Sequence, residues 1–131
     1  SGLEVDALGG APGVRSARFA GDAATMEENR VLLRERMRVV PGSGRGARFR
    51  CVLVLAKAGA VAGVFHGTVE GAITGEERGE GGFGYDPLFI PEGEQRTFAE
   101  MPSEAKHTLS HRGRALAALA DFLRGDRSTA A

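Results

Sequence analysis

At 131 residues the chain is long enough for one compact domain and too short for two of typical size, so it is read as a single domain over residues 1–131. Its 17 basic and 17 acidic residues cancel, which removes the electrostatic case for a nucleic-acid or membrane-surface partner. No apolar run approaches the ~18 residues of a membrane-spanning helix, and the single cysteine, Cys51, excludes an internal disulfide and fits a reducing compartment.

No charged-then-apolar leader opens the chain, and the expected location is the cytoplasm. Residues 1–21 are rich in Gly and Ala, and predict a short strand or loop followed by a turn of helix around Val14–Phe19. A clearer helix comes next. Thr25 and Glu28 have capping-box spacing, and Met26, Leu33 and Met37 recur on one face beside Leu32. Pro41 and Gly42-Ser43-Gly44 end it.

Ala47–Ala56 alternates as a strand, with Phe49, Cys51, Leu53 and Leu55 on one face. The other face turns from Arg48 and Arg50 to Val52 and Val54, which predicts a sheet covered on both sides at that end. After a turn at Lys57–Ala60, Val61–Thr74 reads as a second strand, with Gly63, Gly67 and Gly71 marking bulges or tight contacts. Residues 75–82 form a charged, glycine-rich loop, and Phe83–Ile90 reads as extended, limited by Pro87 to an edge or a kink. The last helix carries a stripe of Leu116, Leu119 and Leu123 backed by Ala115, Ala118 and Phe122. Gly125 is its expected cap, with a frayed tail from Asp126 to Ala131. This order of elements predicts an α/β architecture, a mixed sheet flanked by helices.

Three stretches bear chemistry. Gly79 to Pro87 sets glycines around Phe83, Tyr85 and Asp86, which suits the stacking of a flat ring and equally suits a glycine-rich hairpin with core aromatics. Lys106, His111 and Arg112 crowd donors at the start of the last helix. They read either as solvated charges or as a cluster answered by a carboxylate or by an acidic or keto-bearing ligand. The opening, from Ser1-Gly2-Leu3 to Gly13, pairs a hydroxyl with glycines that could serve a phosphate or form a plain turn. His66 and His107 lack metal-ligand spacing, and no nucleotide-binding P-loop or nucleophile elbow is present.

Taken in order, Ser1-Gly2-Leu3, Gly9 to Gly13, Ser16 to Phe19, Asp22, Asn29, Ala47 to Leu53, Gly67 with Glu70 to Ile73, Gly81 to Pro87 and Ser110 to Leu116 form a series. That series resembles the inosine triphosphate pyrophosphatase family, from residue 1 to about residue 124. The resemblance implies hydrolysis of ITP, dITP or XTP to the monophosphate and pyrophosphate, a need for magnesium, a homodimer, and a two-lobed fold with the nucleotide between the lobes. It carries base contacts to Phe83, Gly84, Tyr85, Asp86, Lys106, His111 and Arg112, and a substrate contact to Ser1.

Two family features have no match. One is a phosphate-gripping Thr-x-Asn-x-x-Lys. The other is a pair of aspartates immediately before Ser-Gly-Leu, one of them the usual general base and metal ligand. The expectation is therefore the C-terminal two-thirds of such an enzyme, with its catalytic base ahead of Ser1 and no metal ligand identified. The alternative is a catalytically incomplete nucleotide-binding or dimerisation fragment of the same family.

Overall fold

The computed structural model describes residues 2–129, the side chains of 107, 108, 111 and 125–129 excepted. Its strands are β1 (Gly2–Val5), β2 (Gly46–Lys57), β3 (Ala60–Ile73) and β4 (Phe89–Pro91), and its helices α1 (Met26–Met37), α2 (Ser103–Leu109) and α3 (His111–Thr129). The four strands lie side by side in chain order, and every pairing is antiparallel. The expected combination of sheet and helices holds. Over the described residues, however, the sheet is purely antiparallel: β2 and β3 are joined by a tight turn, whereas α1 lies in the long connection from β1 to β2 and an irregular loop joins β3 to β4.

β2 and β3 form a long hairpin closed by Ala58-Gly59. Both turn residues have positive φ, 52° and 79°, which matches the twist a two-residue hairpin requires. Pairing puts Leu3 opposite Phe49, Phe49 opposite Val69, and Ile73 opposite Phe89. These side chains share the inner face, where α3 packs across β2 and β3. The core gathers there: Leu3, Val5, Phe49, Val69, Ile73, Phe89, Phe98 and Met101, with Leu33 and Met37 from α1. Phe89 lies edge-on to Phe49 at 4.7 Å and stacks on Phe98 at 5.4 Å.

The outer face is open. Near β1 it is charged, with Arg48 bridging Asp6 and Glu70 at 3.0 and 2.9 Å, and Arg50 bonding Glu4 at 3.0 Å. The hydrogen bonds that Arg48 donates to Asp6 and then to Glu70 raise its pKa above the ordinary value. Toward the hairpin tip the same face carries Val52 (45% exposed) opposite His66, and Val54 (59%) opposite Val64 (49%). The expectation of a strand covered on both sides there is corrected: the described residues cover the inner side only.

The capping box of α1 forms as expected, with Thr25 Oγ1 accepting from the Glu28 N–H and Glu28 accepting from the Thr25 N–H. The last helix differs. Ala115 is fully buried and Phe122 meets Phe65 at 5.2 Å, whereas Leu116 and Leu123 are 42% and 57% exposed. Two apolar stripes one residue apart both have helical period, and the sheet took the one carrying Ala115 and Phe122, with Ala118 and Leu119 both half-buried. α3 also runs through Gly125 to Thr129, so no cap forms at that glycine, and residues 130 and 131 lie outside the described residues. Phe83–Leu88 is not extended. It turns into a short 3-10 segment, Asp86–Leu88, with Pro87 in its first turn, and only Phe89–Pro91 is strand.

Candidate functional site

A cleft of about 510 Å³ opens between the segment around Ser16–Ala17, the Met26 end of α1, and the Phe83–Asp86 turn, with α2 and the start of α3 closing one side. Leu3, Phe49 and Phe98 line its floor. Of the sequence-predicted residues, Phe83, Gly84, Tyr85, Asp86, Lys106 and Arg112 all border this space. Ser1 and the side chain of His111 lie outside the described residues.

The turn is held by Asp86. Its Oδ2 accepts the Phe83 N–H at 2.9 Å and faces the Lys106 ammonium at 2.5 Å. Gly82 makes this possible. Its φ is +70°, and a Cβ there would stand 2.3 Å from Asp86 Oδ2. The Asp86 side chain is almost wholly buried, so pairing with a cation offsets the cost of removing the carboxylate from water.

Phe83 and Tyr85 take opposite roles. The Phe83 ring is 63% exposed, with Lys106 Nζ 4.6 Å and Arg112 Cζ 5.7 Å from its centre. Tyr85 is buried, and its hydroxyl donates to the Ser16 carbonyl at 2.6 Å. Burial pushes the Tyr85 phenol up to about 12. Of the two rings Phe83 is the exposed one, with cations over it, while Tyr85 forms wall.

Lys106 and Arg112 were expected together at one helix start. Instead Lys106 belongs to α2, a helix that the sequence reading did not identify, and Arg112 to the first turn of α3. Ser110 separates the helices with extended backbone (φ −64°, ψ 152°), and its Oγ accepts the Gly113 N–H at 3.0 Å as a cap. This break lets two cations from different helices converge on one ring.

Sequence reading missed Ser16, Ala17, Phe98 and Ser103 as cleft residues, and it assigned Met26 to the core. Nothing local marks them, because they meet only through the fold. Among the described residues no group of three or more His, Cys, Asp or Glu is placed to hold a metal ion. Glu4 projects to the face of the sheet opposite Leu3 and pairs with Arg50, Asp6 pairs with Arg48, and Asp86 with Lys106. No helix among the described residues is long and apolar enough to cross a membrane.

Comparison with known proteins places this arrangement. The chain is 50% identical over 123 residues to a dITP/XTP pyrophosphatase of Geobacter sulfurreducens, covering 94% of this chain and 62% of that protein. It is 57% identical over 119 residues to a dITP/XTP pyrophosphatase of Thermus thermophilus, covering 91% and 57%. Among solved structures it superposes on a HAM1 protein from Coxiella burnetii with a TM-score of 0.88 at 42% identity, covering 94% of this chain and 64% of the other. The Staphylococcus aureus Ham1 protein gives 0.89 at 40% identity, covering 95% and 64%. The chain thus spans about three-fifths of the length of these relatives. A profile of the Ham1 family matches residues 1–122, and the chain belongs to that family.

Proposed function

We propose that this chain is the base-recognising part of a hydrolase that cleaves the α–β phosphoanhydride of ITP, dITP or XTP, releasing the monophosphate and pyrophosphate. The observation that carries the reading is the exposed Phe83 ring with Lys106 Nζ and Arg112 Cζ 4.6 and 5.7 Å from its centre. A purine stacked on Phe83 gains roughly 1–3 kcal/mol. Hypoxanthine and xanthine present an acceptor oxygen at position 6, to which Lys106 and Arg112 donate. Adenine presents an amino donor there and offers Lys106 and Arg112 no acceptor, so it forgoes charge-assisted hydrogen bonds worth roughly 1.5–3 kcal/mol each. Gly84 contributes backbone to the turn, Asp86 orients Lys106, and Ser1 and His111 belong to the same site by resemblance. The Geobacter and Thermus relatives are dITP/XTP pyrophosphatases, which supports this substrate class.

Among the described residues no group of carboxylates fits magnesium. Each of Glu4, Asp6 and Asp86 is engaged by an Arg or Lys, and the first points away from the cleft. In our reading the metal and the general base are supplied by groups that these residues do not include. That placement favours a second reading, a nucleotide-binding piece without turnover of its own. We also read the protein as a cytoplasmic homodimer that contacts neither nucleic acid nor membrane. The neutral charge supports the absence of those two contacts, and the exposed valines of β2 and β3 support the pairing.

One set of assays separates the readings. Inosine 5′-monophosphate should bind the chain more tightly than AMP, and Arg112→Ala should reduce that preference about fivefold. Equal affinities would sink the base-site reading. Pyrophosphate release from ITP by the chain alone should not depend on magnesium, and metal-dependent turnover would sink the second reading instead.

A further inference from the structure

Between Ile73 and Tyr85 no apolar residue anchors the chain, and residues 78–83 are exposed. Phe83 stands at the end of this loop, so polar contacts must decide where its ring lies. Arg30 supplies two of them from one guanidinium. Its Nε donates to Glu77 Oε1 at 2.9 Å, and its Nη1 donates to the Gly84 carbonyl at 2.9 Å. The two acceptors stand at opposite ends of the loop, and the Arg30 side chain is only 19% exposed. Arg34, one turn on, adds a 3.9 Å contact to the other Glu77 oxygen.

The opposite wall is held from the same helix. Asn29, fully buried, accepts the Ala20 N–H at 2.8 Å and donates to the Ala17 carbonyl at 3.1 Å. Two consecutive residues of α1 therefore grip the two walls, which the Tyr85 hydroxyl also joins through the Ser16 carbonyl.

We propose that Arg30 is a positioning residue of the base site: with Glu77 it holds the glycine-rich loop so that Phe83 is placed for stacking before ligand arrives. The inference rests on the reading of the cleft as a purine site. A planar fork suits the task, because it reaches two acceptors in fixed directions, which a lysine ammonium on a flexible stem does not reproduce. Pre-placement spares the ligand the ordering of an exposed loop.

The test uses the 131-residue chain with Arg30→Ala, Arg30→Lys and Glu77→Ala. Inosine 5′-monophosphate and AMP serve as probes in NMR titrations, and amide hydrogen exchange and urea unfolding are run in parallel. Arg30→Ala and Glu77→Ala should each weaken inosine monophosphate about five- to tenfold. They should speed exchange at Gly82–Tyr85 while α3 exchanges as before. Arg30→Lys should recover part of the affinity. Unchanged inosine affinity in both alanine variants would overturn the proposal. So would affinity lost together with uniformly faster exchange, which would mark Arg30 as a support of the whole fold. If the unaltered chain does not distinguish the two nucleotides, the purine reading fails, and this inference with it.

Discussion

Lys106 and Asp86 meet at 2.5 Å beneath the Phe83 ring, joining α2 to the turn that follows the glycine-rich loop. The carboxylate is almost wholly buried and the ammonium mostly so. Removing one partner leaves the other without its counter-charge. Lys106→Met should therefore cost about 1–3 kcal/mol in urea unfolding. Asp86→Asn should cost less, since its amide oxygen still accepts the Phe83 N–H, and the double variant should recover part of the loss. Loss of less than about 0.5 kcal/mol in Lys106→Met would show that the pair is screened as a surface contact is.

Tyr85 is the only tyrosine, and the chain has no tryptophan, so its phenol can be followed alone by absorbance. Burial raises its pKa from 10.0 to about 12. Between those values the native state holds a proton that the unfolded chain has released. The stabilising contribution is thus fully present below pH 10 and is lost as pH rises through about 12. Two units correspond to about 2–3 kcal/mol. Phenolate should appear near pH 12 in the folded protein, and titration near 10 would mean that the ring is open to solvent. Tyr85→Phe removes the bond to the Ser16 carbonyl and should cost about 1 kcal/mol.

Gly71 is required by packing. A Cβ there would lie 2.3 Å from the Ile90 carbonyl oxygen and 2.6 Å from Phe89 Cζ. Neither can yield freely, since Ile90 is in a paired strand and Phe89 is in the core. Gly71→Ala should lose about 2–3 kcal/mol by thermal or urea unfolding. Gly63→Ala meets only the end of the Phe65 ring, at 2.7 Å, and should lose less. Equal losses would show that the β3–β4 contact can adjust.

Val52, Val54 and Val64 form an apolar patch on the outer face of β2 and β3. If the protein pairs as a homodimer through this face, Val54→Lys should convert it to a monomer in sedimentation velocity, with monomer stability changed by less than about 0.5 kcal/mol. A dimer that survives Val54→Lys would place the interface elsewhere.

Much of this protein was legible in local signals. Thr25 and Glu28 started α1 where their spacing predicted, and the alternation of Phe49, Cys51 and Leu53 marked the inner face of β2. The Phe83–Pro87 and Ser110–Arg114 runs, which carry the family resemblance, border the cleft, although the reversal at Asp86–Leu88 and the break at Ser110 were not legible locally. What the tertiary structure alone decided concerns distant partners. α3 buried Ala115 and Phe122 while leaving Leu116 and Leu123 exposed, since both stripes fit the helical period and only the shape of the sheet could choose. Tyr85 became wall and Phe83 the exposed ring through a bond to Ser16, 69 positions away in sequence. The grip of Arg30 on Gly84 spans 54 positions. No periodicity or spacing encodes such contacts, because they form only when the folded chain brings side chains to carbonyls that secondary structure has left unpaired.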